Sequence, residues 1–246
     1  MSFRRVVLAE WTKLAALRST WIVLSLVVVL TIGVAGAAGH HARAAHLGDA
    51  FLGVDVFSLI LGVFGIVLVT GEYGSGLIRA TLAAVPRRLP VLWAKAVVLV
   101  AATAPLMLVV CAASFLVGQA FMDSGHRLGF GDPGVLRATI GAAAAPIALA
   151  LIGLGIGAMV RHTAGAITVY VFAMLILPGL LPATLSESLR DSVVPYVPVA
   201  ASQALYAPSG ANPFHMLSPG RGALVLLLWI AAILAGGAAV LHRRDA

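Results

Sequence analysis

Few side chains in this chain have the chemistry of a reactive site, and fewer are spaced for it. His40, His41 and His46 form the densest group of metal-ligand types, but separations of five and six residues share no helical face. Only His40 and His41 are close in sequence, so no metal centre is expected. Cys111, the single cysteine, lies in an apolar run, which leaves neither an internal disulfide nor a cysteine-ligated zinc. Gly153, Gly155 and Gly157 imitate a dinucleotide-binding loop, yet they sit inside an apolar run with no strand before them. Gly153 and Gly157 instead suit a small-residue face on which two helices approach closely. No phosphate loop ending in Gly-Lys-Ser or Gly-Lys-Thr occurs, nor His-Glu-x-x-His, nor Gly-x-Ser-x-Gly. ATP hydrolysis or peptide cleavage by this chain would need such a motif, so neither catalysis nor a resident cofactor is expected.

Asp55 is the single charge in an apolar run at 51–70. An ionised Asp at mid-bilayer costs about 2.5–3.5 kcal/mol on insertion scales. Asp55 stands four residues from the end of its run, where the dipole of a helix N-terminus favours an anion. An interfacial cap is the simpler role, and a place on a transport path is the other.

The apolar runs are what must position these residues. The chain is 61% hydrophobic and 10% charged, with a mean hydropathy of +1.05, whereas soluble domains carry about 25% charge. A soluble enzyme is excluded. A bilayer-crossing helix needs roughly 20 apolar residues, and runs of that kind occupy 21–38, 51–70, 97–122, 138–160, 164–184 and 222–241. This predicts an all-α integral membrane protein of six spans, residues 1–246 forming a single membrane domain. With both termini inside, 11 of the 16 Lys and Arg fall on the inner segments, which are net +8 against −1 outside, as the positive-inside rule requires. The overall +7 thus reports orientation and not nucleic-acid binding. The first run resembles a secretory signal, but its 18 residues exceed the usual apolar stretch of about 7–15.

Two inner segments carry patterns of their own. Within 1–20, Phe3, Val7, Trp11 and Leu14 fall on one helical face and Arg5, Thr12 and Lys13 on the other. This predicts an amphipathic helix along the inner surface, Trp11 at the headgroups and its cations on anionic lipid. In GEYGSGLIRATLAAVPRRLPVLWAK, residues 71–95, Ile78, Leu82 and Val85 recur at helical spacing, Arg79 lies on the polar side and Pro86 stops the helix. Gly71, Gly74 and Gly76 permit a sharp turn ahead of it. Flanked by Glu72 and by Arg87 and Arg88, this short helix suits docking into a groove on a partner. Resting on lipid with its arginines at phosphates is the other reading.

EWTKLAALRSTW at 10–21, the loop at 71–95, GAMVRHTAGAI at 157–167, YVPVAASQALY at 196–206 and the terminal RRDA together resemble permease subunits of bacterial type 2 ABC transporters, in order and over nearly the whole chain. The resemblance implies an export-type subunit of the bacterial cell membrane, two copies or related chains pairing. A separate ATP-binding subunit would drive them, holding the ATP and Mg that this chain does not. It implies that the loop at 71–95 is the coupling helix, acting through Glu72, Arg79, Thr81, Pro86, Arg87 and Arg88. The N-terminal helix becomes the connecting helix, with Glu10, Lys13 and Arg18. Asp55 and the histidines at 40, 41 and 46 depart from the family's pattern. The proline-rich segment 185–221 is read either as short re-entrant helices forming an outer gate or as a plain loop. An exporter subunit is the leading function and a mechanical coupler driven by the same kind of ATPase is the alternative.

Overall fold

The computed structural model describes residues 2–41, 49–84, 88–121, 127–207 and 216–243. His46, Val85, Pro86 and Arg87, and the side chains of His41 and Leu82, lie outside the described residues. Among the described residues every regular element is helical, and six helices are long and apolar enough to cross a membrane. The chain is a multi-pass, all-α membrane protein. A helix is the form in which an apolar segment satisfies its own backbone without water.

Spans one to four are α2 (Arg18–His41), α3 (Leu52–Gly74), α5 (Leu89–Ala120) and α6 (Val135–Val160). The fifth is continuous from Thr163 to Thr184 but changes pitch: α7 (Thr163–Val171), a π turn (Phe172–Ile176) and α8 (Leu177–Thr184). The sixth is α11 (Pro219–Arg243). Four short helices accompany them: α1 (Phe3–Ala16), α4 (Leu77–Ala84), α9 (Glu187–Val193) and α10 (Pro198–Gln203).

The helix of the third span extends beyond the apolar run expected at 97–122. It starts at Leu89 and not at 97, with a proline in its first turn where the missing N–H costs nothing. Its 32 residues reach about 48 Å, well past a hydrocarbon core of about 30 Å, so Lys95 belongs to the helix and is buried within it. The turn before α4 is corrected. Gly71 and Gly74 continue α3; only Gly76 turns the chain, at a φ of 73° that side-chain-bearing residues avoid.

The centre is the pairing of α3 with α6, which make the most extensive contact in the molecule. A Cβ added at Gly153 would overlap the Gly62 carbonyl oxygen, one at Gly65 the Ala150 carbonyl, and one at Gly157 would lie 3.0 Å from the Ile66 oxygen. The small-residue face read from Gly153 and Gly157 is therefore the seam of the fold. Lipid supplies no hydrophobic drive between helices, so close van der Waals packing through such faces must hold them. Around this seam, α5 and α2 pack on one side and α7 and α11 on the other. Gly39 lies against Gly118, and Gly155 and Gly237 against α11 and α6 respectively. Residues 187–203 form short helices, α10 resting on α6 and α11 with Ala201 and Ser202 buried.

Arginines tie helix ends together. At one end, Arg88 and Arg161 donate to the Leu241 and Val240 carbonyls at the C-terminus of α11, at 3.3 and 2.9 Å, where the helix dipole favours a cation. Arg161 closes α6 in a left-handed cap, φ 60°, and its guanidinium lies 5.4 Å above the Tyr73 ring. At the opposite end Arg137 donates to the Leu205 and Ala207 carbonyls, at 2.9 and 2.8 Å. Helices α1 and α4 and the C-terminus of α11 thus share one end, here the basal end; α9 and α10 lie at the distal end.

Candidate functional site

The basal end holds a group of four charges, three of them buried and Lys13 partly exposed, that no single segment displays. Lys95 Nζ lies 2.7 Å from Glu10 Oε2 and 2.7 Å from Glu72 Oε1, and 3.2 Å from the Leu68 carbonyl. Lys13 Nζ reaches Glu10 Oε1 at 2.7 Å and Glu72 Oε1 at 2.8 Å, and donates to Thr81 Oγ1 at 3.1 Å. Two lysines and two glutamates cancel, and each lysine bridges both carboxylates. The group joins α1 through Glu10 and Lys13, the end of α3 through Glu72, α4 through Thr81 and α5 through Lys95. Burying ions is costly, and pairing of this quality is what offsets the cost. Burial opposes the charge on Lys13, but the hydrogen bonds and attraction of Glu10 and Glu72 outweigh it and raise its pKa above the ordinary value of 10.5.

This arrangement changes how the two basal helices present themselves. On α1, Val6, Glu10 and Leu14 are buried, while Phe3 and Trp11 are exposed on the outer side of the helix. The reason is that α1 packs against α5, and Glu10 must face Lys95 there. Only an internal partner makes a carboxylate acceptable on a buried face. On α4, Ile78 is buried within the chain at 5% exposure, while Leu77 is 45% exposed and Arg79 is exposed beside it. Among the described side chains of α4, the large apolar residue turned outward is Leu77. Glu72 faces inward to the lysines, Arg88 is engaged at α11, and Arg18 opens α2.

The distal end holds a cavity of about 380 Å³. Its walls come from the first turns of α3, from the π turn and Pro178 of the fifth span, and from the segment leading into α10. Asp55 and Gln203 are polar groups in a lining that is otherwise mostly aliphatic, with Leu59, Met174 and Val194 among it. A π turn inside a helix frequently accompanies a functional site, and here it shapes one wall. Asp55 accepts a hydrogen bond from Tyr206 Oη across 151 residues and another from the Gln203 side chain. Asp55 sits in the first turn of α3, and its hydrogen bond with Tyr206 also ties the distal segment to that helix. Burial, and then the neighbouring Asp55 carboxylate, hold the Tyr206 phenol far above its ordinary pKa of 10, so it remains a donor. Its ring also meets Phe51 edge-on at 6.2 Å.

The structure therefore brings together Glu10, Lys13, Glu72 and Thr81 among the expected site residues, and leaves Trp11 and Arg79 on the surface. Lys95, Tyr206, Gln203 and Met174 are the site residues that spacing alone does not reveal. No protein-family model matches the chain, and comparison with curated proteins returns no match. Fold and geometry define the class: a six-span helical membrane protein with a basal ionic junction and a distal cavity.

Proposed function

We propose that the chain is the membrane-spanning permease subunit of an ATP-driven exporter, working as one of a pair of such chains in a bacterial cell membrane with both termini cytoplasmic. A separate ATP-binding subunit docks at the basal end on α4 and α1. The observation that carries this reading is the four-charge junction. It links α1 to the second and third spans through short contacts, buried at Lys95, and reaches α4 through the bond from Lys13 to Thr81. A displacement of α4 then moves α3 and α5 and does not dissipate in a loose loop. Exposed Leu77 and Arg79 supply an apolar contact and a charge that sets register. The arginines at the basal end agree with a cytoplasmic face. The distal cavity favours solute transport over a purely mechanical coupler, because a coupler has no need of a ligand-sized space.

The test is co-purification. The chain is expressed with the ATP-binding subunit that this reading requires, sought in the neighbouring reading frames, and Leu77→Asp is compared with the unaltered protein at equal membrane insertion. Burying an aliphatic side chain contributes about 1.5–3 kcal/mol, so Leu77→Asp should release most of the ATPase. Full retention of the ATPase would refute docking on α4.

A further inference from the structure

The distal cavity has a shape and a charge that together select a ligand. About 380 Å³ lies within the range of about 300–1,000 Å³ typical of small-molecule sites. Its lining is aliphatic but for Asp55 and Gln203, and the donors on Asp55, Tyr206 and Gln203, are both neutral. Among the described residues no Lys, Arg or His pairs with Asp55. A carboxylate held by neutral donors in an apolar pocket repels anions and attracts a cation. A metal ion is a poor candidate, since magnesium and calcium require about six or more oxygen ligands and these walls offer too few. An organic cation needs one counter-charge and an apolar surface for its body, and Met174 adds a polarizable side chain that adapts to varied shapes.

We propose that this cavity binds an amphipathic organic cation, its positive centre against Asp55 and its apolar body against Leu59, Met174, Leu175 and Val194. The proposal rests on the transport reading only in treating that molecule as cargo. Binding itself requires no ATPase, so it is measured on the isolated subunit. Failure of binding with intact ATPase docking would overturn this inference alone, and failure of docking with intact binding would overturn the other.

The probes are tetraphenylphosphonium and tetraphenylborate, ions of nearly the same shape and opposite charge, titrated against the subunit in nanodiscs of zwitterionic lipid. The unaltered protein should bind the phosphonium saturably and the borate at least about 10-fold more weakly. Asp55→Asn keeps an oxygen that accepts from Tyr206 while removing the charge. It should weaken phosphonium binding at least about 10-fold, equivalent to about 1.4 kcal/mol. Ala200→Phe leaves the carboxylate intact and places a ring in the cavity, whose wall Ala200 forms; it should weaken phosphonium binding as well. Equal binding of the two ions, absence of saturable binding, or phosphonium affinity unchanged in either variant would overturn the proposal.

Discussion

Replacing Lys95 with Met tests the basal junction most directly. The methionine keeps the length of the apolar stem but removes the ammonium that lies 2.7 Å from both Glu10 and Glu72. The group then carries two carboxylates and one lysine, a net charge of −1 in a site where Lys95 and Glu10 side chains are each only 3% exposed. Removing one partner from a buried ion pair typically costs about 3–5 kcal/mol. Lys13 still bridges both carboxylates and its side chain is 31% exposed, which places the expected loss at the lower end, about 3 kcal/mol. Adding Glu10→Gln to Lys95→Met restores neutrality, leaving Lys13 with Glu72. The double variant should recover about 1–3 kcal/mol relative to the sum of the single changes, the coupling expected within one charge network. Reversible unfolding in mixed micelles, followed by helical circular dichroism, measures both. Trypsin cleavage at Lys13 offers a local readout, because α1 loses its hold on α5 in the single variant. A single-variant loss below about 1 kcal/mol, the level of an exposed pair, would refute the junction. So would a double variant whose loss equals the sum of the two single changes.

Two further outcomes are expected. Gly153→Val should destabilise the protein by about 1–3 kcal/mol, because the new Cβ overlaps the Gly62 carbonyl and α3 must part from α6. Gly33→Ala, which meets nothing within 4 Å, should be neutral or stabilising by less than about 1 kcal/mol; equal effects of the two in the same unfolding assay would defeat the seam. Lys13 has a raised pKa in the folded protein, so its contribution to stability is complete below the ordinary value of 10.5 and is lost as pH rises above that value through the folded one. Stability measured across this window should fall more steeply in the parent than in Lys13→Met, and parallel slopes would show that Lys13 is not coupled to Glu10 and Glu72.

What the sequence determined by itself is the set of spans. A run of about 20 apolar residues has no other stable form in lipid, and all six runs are helices in the structure. Gly153 and Gly157 were legible for a related reason: two glycines one helical turn apart form a face that only close packing can use. Where a charge ended a run, the sequence misled. Lys95 looks like the loop side of a boundary, and its true place depends on Glu10 and Glu72, which lie 85 and 23 residues away. A signal was present, for among the segments that the charge bias assigns to the inner side the acidic residues are only Glu10, Glu72 and Asp245, few enough that a lysine in an apolar helix has an obvious pair of counter-charges. The same dependence governs the inward face of α1, where Glu10 is buried because Lys95 lies opposite it. Asp55 is the extreme case. Its surroundings are set by Tyr206, 151 residues distant, and by a cavity wall to which the π turn contributes Met174 and Leu175. Helix formation follows from the solvent each residue meets in its own neighbourhood, whereas a buried charge acquires its place from whichever distant group neutralises it. Only the tertiary structure decides that.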